Sequence, residues 1–362
     1  MTIRTPVADP PNESTGGSVP HALRLIGDTP MVSLERLFPP PGPRFFGKME
    51  KLNPGGSIKD RTALSMLTDA LGSGRIVPGR TTVVESSSGN LGIAMAQICN
   101  FHGVSFRCVT DPKITSMNLA LMRAYGADVE VIDRPDEATG EYLPVRIRRV
   151  NELIASLPDS WWSNQYANPA NARAHHRTME EILTAIPGLT HLFLATGSCG
   201  TLRGCAEGLR RAGRQDVTVI AVDSCASRIF GEPPQRAARV IPGHGAALRP
   251  PLMSNDSADW LVRVDDADCV VGCHEMLRKE SLLVGGSSGA VLTAALRFAP
   301  RLPESARCAL ILPDGGERYL DTIYDRSWVR QHIGPLPEPS RWAGPSCSYP
   351  PIHLTDHEEA AA

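Results

Sequence analysis

The sequence lacks any long apolar run. No stretch of its 362 residues approaches the ~18 apolar residues that a membrane-spanning helix needs. It also lacks the basic start and apolar core of a secretory signal, so we expect a cytoplasmic protein without a membrane partner. The formal net charge is only -2, which gives no reason to expect nucleic acid as a partner. The hydrophobic fraction of 42% and the charged fraction of 21% are typical of a soluble globular protein with a sizeable core.

The nine cysteines do not form a framework. Their number is odd, and they are scattered through apolar segments. Cys269, Cys273 and His274 come closest to the spacing of metal ligands, but they lie on a predicted amphipathic helix without a second cluster. We therefore predict buried thiols, and neither a zinc site nor a set of disulfides.

Short β-branched runs alternate with segments of helical period, which predicts βαβ units and a parallel sheet. Several of the runs are continuously apolar, as expected for strands covered by helices on both faces. The predicted strands are Thr81–Val84, Ser105–Val109, Val129–Ile132, Leu192–Ala195, Val217–Val222 and Ala309–Leu312. The predicted helices are Leu91–Phe101, Met117–Tyr125, Val145–Leu157, Thr201–Arg211, Cys269–Glu280 and Ala290–Phe298. Trp161, Trp162 and the polar residues up to Asn171 interrupt this pattern, which indicates a crossing between two sub-domains.

A lysine stands at the start of one helical segment. In KLNPGGSIKDR, Lys59 follows a Pro-Gly-Gly turn, and Ser57 can cap the helix that begins there. An amine that is held in place and partly desolvated favours its neutral form and can attack a carbonyl to form a Schiff base. The alternative is a solvated lysine in the first turn of a helix, and this segment alone does not decide between them.

Three further loops lead from an apolar segment into a helix. Glu85–Gly92 carries clustered hydroxyls, Thr196–Thr201 consists of small residues, and Gly285–Gly289 places serines before an Ala-rich helix. Free helix N–H groups in such loops suit a phosphate or a carboxylate. Neither a Walker loop nor a GxGxxG fingerprint is present. Each loop taken singly could also be an ordinary serine cap or a tight turn.

Taken in order, the segments KLNPGGSIKDR, SSSGNLG, TGSCGT and GGSSGA resemble the β-substituting enzymes of pyridoxal phosphate fold type II, the cysteine synthase and cystathionine β-synthase family. The resemblance runs from about Leu25 to Tyr319 and includes NQYANPAN and GERYL. It implies an α/β fold like that of the tryptophan synthase β subunit, with two sub-domains that each contain a mostly parallel sheet covered by helices. It also implies pyridoxal 5'-phosphate as cofactor, small amino-acid substrates and a homodimer. We expect a flexible arm at 1–20, a large cofactor-binding domain of 21–55 and 165–334, a smaller substrate-side domain of 56–164, and a Pro-rich tail at 335–362.

The resemblance also implies roles for individual residues. Lys59 would form the Schiff base and act as general base, Asn90 would bind the pyridoxal 3-oxygen, and Ser287 would face the pyridine nitrogen. A serine in that place, unlike an aspartate, cannot stabilise a pyridinium, which suits β-elimination without a long-lived carbanion. The cofactor phosphate would be held by Gly197, Ser198, Cys199, Gly200 and Thr201. The substrate carboxylate would be bound by Ser87, Ser88, Gly89 and Gln165.

Several positions depart from ordinary cysteine synthases. The substrate loop reads Ser-Ser-Ser-Gly-Asn-Leu-Gly, where those enzymes usually carry Thr-Ser-Gly-Asn-Thr-Gly after a proline. Tyr166 stands where phenylalanine is usual, and Cys199 stands where glycine is usual. Arg146, Arg148 and Arg149 lie close together on one predicted helix. These features resemble the branch that makes N-(2-amino-2-carboxyethyl)-L-glutamate from O-phospho-L-serine and L-glutamate, toward 2,3-diaminopropionate for a siderophore or a peptide antibiotic. Arg146 and Tyr166 could bind carboxylates of glutamate, whereas a solvated helix face and a buried ring are the alternatives. The second candidate function is a cysteine or S-sulfocysteine synthase that uses O-acetylserine or O-phosphoserine.

Overall fold

Apolar segments form strands and the segments between them form helices, as the alternation of the sequence predicts. The structure is a computed structural model that describes residues 21–137, 140–231, 239–338 and 350–354. These residues divide into two units. The smaller comprises the described residues of Met1–Ile26 and Ala63–Asn164, and the larger comprises those of Gly27–Thr62 and Gln165–Ala362. The predicted fold class, α/β with two mostly parallel sheets covered by helices, is confirmed.

The smaller unit contains a sheet of four parallel strands in the order β5-β4-β3-β6. Its strands are β3 (Thr82–Ser86), β4 (Ser105–Thr110), β5 (Asp128–Val131) and β6 (Ser160–Trp162). Its helices are α2 (Asn90–His102), α3 (Ser116–Ala124) and α4 (Tyr142–Ser156), together with α1 (Lys59–Gly72) from Ala63 onward. Val84 and Val109 of the sheet pack against Val150 and Leu153 of α4, so the apolar stripe of that helix covers the sheet.

The larger unit contains a seven-stranded sheet in the order β1-β2-β10-β7-β8-β9-β11. Its strands are β1 (Met31–Ser33), β2 (Arg44–Met49), β7 (His191–Ala195), β8 (Thr218–Ser224), β9 (Trp260–Val264), β10 (Arg307–Leu312) and β11 (Ile352–His353). The five inner strands are parallel, and the two edge strands, β1 and β11, run antiparallel to their neighbours. The helices are α5 (Pro169–Ala185), α6 (Gly200–Arg211), α7 (Asp266–Glu280), α8 (Gly286–Phe298) and α9 (Arg326–His332).

Both faces of the larger sheet are buried. On β7, Phe193 belongs to the cluster that includes α7 and α8, whereas Leu192 and Leu194 belong to the cluster that includes α5 and α6. Successive side chains of a strand point to opposite faces, so alternate residues serve the two helical layers. This explains why several inner strands, β7 and β10 among them, are almost continuously apolar in sequence. Because these strands are parallel, their carboxyl ends lie at one edge, where the loop into α6 and the loop after β10 begin. The segment between α7 and α8 joins this edge through a bridge between Val284 and Gly315.

The structure differs from the sequence-based interpretation at several places. The Trp161–Trp162 pair, interpreted as an interruption, lies in β6 and pairs with β3. Lys59 belongs to the larger unit, although the sequence-based division put 56–164 in the smaller domain. The arm at 1–20 lies outside the described residues, as does much of the tail at 335–362. Within that tail, Ile352 and His353 form the edge strand β11. No helix among the described residues is long and apolar enough to cross a bilayer.

Candidate active site

Lys59 is the first residue of α1, and the loop before it is closely held. The Lys59 N–H donates to Ser57 Oγ at 3.2 Å, and the Gly55 N–H donates to Asp60 Oδ2 at 2.5 Å. Gly56 has φ +82, a conformation that glycine adopts without strain. The turn predicted from the Pro-Gly-Gly sequence therefore sets the direction in which α1, and with it Lys59, begins.

A buried ionic network fixes the next turn. Arg61 donates from Nε to Glu50 Oε2 at 2.7 Å and from Nη1 to Glu181 Oε1 at 2.7 Å, while Lys48 reaches Glu181 at 2.6 Å. Burial opposes the charge on Glu181, yet the hydrogen bonds from Arg61 and Lys48 lower its pKa to about 2. Paired and hydrogen-bonded charges of this kind hold their geometry closely, because breaking one pair leaves another charge buried and uncompensated. The network therefore keeps the start of α1 in one place.

Lys59 is half-buried at the start of α1. Burial lowers the pKa of Lys59, although the charges of Asp314 and Cys199 act in the opposite direction. Desolvation favours the neutral amine, which is the nucleophilic and basic form. The half-burial and the lowered pKa of Lys59 favour the held, partly desolvated amine over the solvated lysine that the sequence left as an alternative.

One cavity joins Lys59 to the loop between β7 and α6. Its lining includes Lys59, Gly197, Ser198, Cys199 and Thr201. Four of the five residues assigned to the phosphate by resemblance therefore face the same space as the amine, and Gly200 begins α6 next to them.

The backbone of this loop is shaped to receive an anion. Cys199 has φ 62 and ψ 5, the left-handed conformation, and turns the chain directly into α6. The first N–H groups of a helix have no acceptor within the helix, and the dipole gives that end a partial positive charge. Burial raises the pKa of Cys199 to about 12, so its thiol stays protonated and adds no negative charge. Hydroxyls, free amides and a positive helix end suit a phosphate.

Ser287 stands beside the same cavity. It is the second residue of α8 and is 3% exposed, and a Cβ added to Gly243 would lie 3.3 Å from its side chain. Gly243 itself lines the cavity. Asp314, which follows β10, accepts a hydrogen bond from the Tyr319 hydroxyl at 2.6 Å and binds the Gly285 N–H through its backbone oxygen. This loop therefore holds the start of α8 in place.

In the smaller unit, the loop between β3 and α2 carries the predicted carboxylate-binding residues. Ser87 Oγ accepts from the N–H groups of Gly89 and Gly92 at 3.3 and 3.1 Å and thus caps α2. Ser88 Oγ instead accepts from Arg146. Asn90, half-buried, is the first residue of α2. The hydroxyls of the two serines therefore serve different partners.

The three arginines of α4 are distinguished by their surroundings. Arg146 is 12% exposed and binds Asp111 at 3.0 Å and Ser88 Oγ at 3.1 Å through Nη1. Its Nε is buried and has no partner among the described residues. Arg149 pairs with Glu130, and Arg148 is 60% exposed. Of the three, Arg146 is the one directed at the serine loop.

Gln165 and Tyr166 are half-buried in the larger unit, after its boundary at Asn164. The Gln165 backbone oxygen accepts from Asn171 Nδ2 at 2.8 Å, and the Tyr166 backbone oxygen accepts from Leu252. The predicted residues thus fall into two groups. Lys59, the Gly197–Thr201 loop, Ser287, Gln165 and Tyr166 belong to the larger unit, and Ser87–Asn90 and Arg146 belong to the smaller one.

Sequence reasoning missed several residues of the site. Asp314 and Gly243 were not singled out, although Asp314 follows a predicted strand, which is a recognisable signal. The role of Asn171 beneath the loop was also missed, although it stands within the NQYANPAN segment. His175, whose Nε2 lies 3.2 Å from Thr201 Oγ1, had no signal in the sequence beyond its residue type.

The chain can be compared with known proteins. Residues 22–314 match a family model described as pyridoxal-phosphate dependent enzyme. An N-(2-amino-2-carboxyethyl)-L-glutamate synthase of Ralstonia nicotianae is 42% identical over 337 residues, which covers 92% of this chain and 97% of the relative. A synthase of the same name from Cupriavidus metallidurans is 42% identical over 312 residues, covering 85% and 90%. The crystal structure of an O-acetylserine dependent cystathionine beta-synthase from Helicobacter pylori matches with a TM-score of 0.76 and 32% identity, covering 86% of this chain and 100% of that one.

Proposed function

The chain belongs to the family of pyridoxal-phosphate-dependent enzymes, and from this premise we propose that it joins L-glutamate to the Cβ of O-phospho-L-serine. The products are N-(2-amino-2-carboxyethyl)-L-glutamate and phosphate. The observation that carries this proposal is the 42% identity to two synthases of that name over most of the chain. The product would lead toward 2,3-diaminopropionate for a siderophore or a peptide antibiotic.

The residues around the cavity fit pyridoxal phosphate. A half-buried lysine amine with a lowered pKa suits the aldehyde, and the hydroxyls and helix start of the Gly197–Thr201 loop suit the phosphate. Ser287, beside the cavity, would face the ring nitrogen with a neutral hydroxyl and, unlike a carboxylate, would not stabilise a positive charge there. When bound, the cofactor supplies the electron sink that makes the Cα–H bond of an amino acid acidic and lets a group on Cβ leave.

Lys59 moves the proton in this scheme. Its lowered pKa leaves the amine uncharged more readily than an exposed lysine, so Nζ can accept the Cα proton of the substrate. The phosphate of O-phosphoserine then leaves with the C–O bonding electrons. The amine of glutamate next forms the new C–N bond at Cβ and loses a proton, and Lys59 Nζ returns a proton to Cα.

Substrate selection would depend on the serine loop and Arg146. Ser88 and Gly89 precede the start of α2 and are proposed, on the resemblance, to bind the substrate carboxylate. Gln165, in the larger unit, is assigned to that carboxylate on the resemblance alone. Arg146 brings a fixed positive charge to Ser88, which suits the dianionic leaving group or a glutamate carboxylate. Its buried, unpartnered Nε is a donor that a carboxylate could satisfy. Tyr166 would add a hydroxyl donor.

The test is a comparison of nucleophiles. The purified holoenzyme is given O-phosphoserine with L-glutamate, sulfide or thiosulfate, and both phosphate release and product mass are measured. We expect rapid release only with glutamate. A strong preference for sulfide or thiosulfate would instead establish the second candidate, a cysteine or S-sulfocysteine synthase, which the similarity to an O-acetylserine dependent enzyme favours. The same nucleophiles are also tested with O-acetylserine as the donor in place of O-phosphoserine.

A matched pair of variants tests Arg146. Arg146→Gln removes the buried charge, and we expect the KM for O-phosphoserine or glutamate to rise at least about tenfold, because a hydrogen bond to a charged group contributes ~1.5–3 kcal/mol. Arg148→Gln, on the same helix but 60% exposed, is the control and should leave both KM values unchanged. Equal effects of the two substitutions would remove Arg146 from the substrate site.

The assembly and location are proposed on the resemblance. We propose a homodimer, which light scattering coupled to size-exclusion chromatography would test. A fully active monomer at micromolar concentration would contradict it. A cytoplasmic location is likewise proposed, and fractionation of the producing cell would test it.

A further inference from the structure

A chain of hydrogen bonds beside the Gly197–Thr201 loop starts at the Gln165 backbone carbonyl, which can act only as an acceptor. Asn171 Nδ2 lies 2.8 Å from the Gln165 backbone oxygen and 3.1 Å from Ser198 Oγ. A backbone carbonyl can only accept, so the amide nitrogen, and not the amide oxygen, faces Gln165. Ser198 Oγ therefore accepts from Asn171, and its own proton remains free for another partner.

The orientation of the Asn171 side-chain amide also fixes which atom is the donor at Thr62. With Nδ2 directed at Gln165, Asn171 Oδ1 faces Thr62 Oγ1 at 3.1 Å and accepts its proton. A hydroxyl has one proton to give. The contact of 3.2 Å between Thr62 Oγ1 and His175 Nε2 must therefore have the nitrogen as its donor.

His175 is thereby restricted to one neutral tautomer. Its ring is fully buried, and burial together with the nearby charges of Lys59 and Arg61 holds the pKa of His175 well below its ordinary value. Nε2 carries the proton, so Nδ1 has the lone pair and accepts from Thr178 Oγ1 at 3.3 Å.

Nε2 also lies 3.2 Å from Thr201 Oγ1, in the first turn of α6. A nitrogen that already carries a proton cannot accept the proton of Thr201, so that proton is free for a partner in the cavity, which Thr201 lines. Close helix packing makes this contact possible. A Cβ on Gly200 would lie 2.1 Å from Asn171 Oδ1, and one on Gly204 would lie 2.8 Å from His175 Cβ.

We propose that His175 is a positioning residue which, with Asn171, leaves the hydroxyl protons of Thr201 and Ser198 to the cofactor phosphate, so that these hydroxyls act only as donors. The inference rests on the proposed role of Gly197–Thr201 as the phosphate site. A site made of donors binds the dianion and disfavours a protonated phosphate, whose P–OH group would meet a donor without an acceptor. Since the second ionisation of a phosphate monoester has a pKa of ~6, the bound cofactor should remain dianionic below that pH.

The direct test is spectroscopic and uses the wild-type holoenzyme. In protein with ¹⁵N-labelled histidine, we expect the His175 signals of a neutral ring protonated at Nε2, unchanged between about pH 6 and 8. The ³¹P signal of the bound cofactor should be that of a dianion and should not titrate near pH 6. A ring protonated at Nδ1, or a bound phosphate that titrates like the free cofactor, would overturn the proposal.

Variants separate this positioning from a general structural role. His175→Phe removes the donor, and we expect the apoprotein to bind pyridoxal phosphate roughly tenfold more weakly while its affinity for pyridoxal, which lacks the phosphate, is unchanged. His175→Gln can place an amide N–H near Nε2 and should recover most of the affinity. His176→Gln is the matched control, because His176 is the next residue of α5 and pairs with Glu207 instead. Equal losses for both ligands in His175→Phe would mean a structural role only and would contradict the proposal.

Thr201→Val distinguishes the role of the loop from the role of His175. If this variant binds pyridoxal phosphate and pyridoxal as the wild type does, the loop does not hold the phosphate, and His175 does not position its hydroxyls for that purpose. If Thr201→Val weakens only pyridoxal phosphate while His175→Phe does not, the phosphate site stands and the role of His175 is wrong. Should His175→Phe fail to fold, the ¹⁵N spectrum of the wild type still decides.

Discussion

At the scale of single residues, the start of α1 partly removes two ionisable neighbours, Lys59 and Asp60, from water. Burial lowers the pKa of Lys59 and raises the pKa of Asp60 to about 7. The Gly55 N–H and the positive charges of Arg318 and Arg61 oppose the shift of Asp60 without cancelling it. An acid and a base that each resist ionisation make the stability of this segment depend on pH.

The pH dependence of Asp60 can be tested on the apoprotein. Because its folded pKa is raised from 3.8 to about 7, the folded state holds a proton that the unfolded state has lost. The stabilisation is present below about pH 4 and is lost as the pH rises through 7. We expect Asp60→Asn to reduce the fall in the calorimetric unfolding temperature between pH 5 and 8. Asp216→Asn, at an exposed site, is the control. An unchanged pH profile in Asp60→Asn would contradict the shift.

Sequence alone could place Lys59, the Gly197–Thr201 loop and Ser287 at starts of helices, because turn residues and capping residues are local signals. It could not decide which arginine of α4 faces the serine loop. Arg146, Arg148 and Arg149 lie within about one helical turn, and their surroundings differ through partners from other elements, Asp111 and Glu130 among them. Such partners are distant in sequence, so the local sequence around α4 does not predict them.

At the scale of elements, the packing of α6 on α5 has the largest effect on the site. Gly200, Gly204 and Gly208 recur every four residues on one face of α6, and a Cβ on Gly204 would lie 2.0 Å from the Ala172 backbone oxygen. The helices therefore approach more closely than larger residues allow. This approach brings His175 within hydrogen-bonding distance of Thr201.

Gly204→Ala should therefore be strongly destabilising. The added methyl group meets backbone, which cannot rotate away, and we expect a loss of about 2–3 kcal/mol in the free energy of unfolding. Affinity for pyridoxal phosphate should fall as well. The control is Gly72→Ala, at the end of α1, where nothing lies within 4 Å of the added group. Denaturant titrations measure both variants, and a Gly204→Ala protein as stable as the control would contradict the packing argument.

The sequence pattern did not reveal α5 because its buried face is partly polar. Asn171, His175 and Thr178 are buried there, so the hydrophobic period that marks other helices is broken. Three inner strands of the larger sheet, β7, β8 and β10, were predicted to within two residues because they are largely apolar. The inner strands β2 and β9 were not predicted, since Gly47 and Lys48 interrupt the one and Arg263 the other. Two of the polar residues of α5, Asn171 and His175, are the ones that contact Ser198 and Thr201 of the Gly197–Thr201 loop.

The edge strand β11 leads to a second prediction at this scale. Ile352 pairs with Leu261, and the ring of His353 packs edge-on against Trp260 with centroids 4.7 Å apart. A chain that ends at Glu338 would expose the edge of β9, and we expect it to lose roughly 1–2 kcal/mol of stability and to associate more readily. A chain that ends at Leu354 keeps β11 and is the matched control. Ultracentrifugation and thermal unfolding measure the outcome, and identical behaviour of the two truncated chains would refute it.

At the scale of the whole molecule, the cofactor should stabilise the protein that binds it. A ligand that binds only the folded state adds about 2.7 kcal/mol at one hundred times its Kd. We expect the unfolding temperature of the apoprotein to rise with the concentration of pyridoxal phosphate. Lys59→Ala should show a smaller rise, because the phosphate contacts remain but the link to the amine is lost. Inorganic phosphate at the same concentrations is the control ligand. An unfolding temperature that does not change with the concentration of pyridoxal phosphate would contradict the proposal that the protein binds this cofactor.

The order of strands in the larger sheet has a consequence for synthesis of the protein. β2 lies between β1 and β10, and Arg44 is paired with Arg307 near the far end of the chain. A ribosome adds ~5–20 residues per second, so β2 leaves it on the order of tens of seconds before its partner exists. All strands of the smaller unit emerge during that interval. One side of β2 therefore stays without its strand partner until translation is nearly finished. We expect a chaperone that prevents mispairing to bind the nascent chain at this strand.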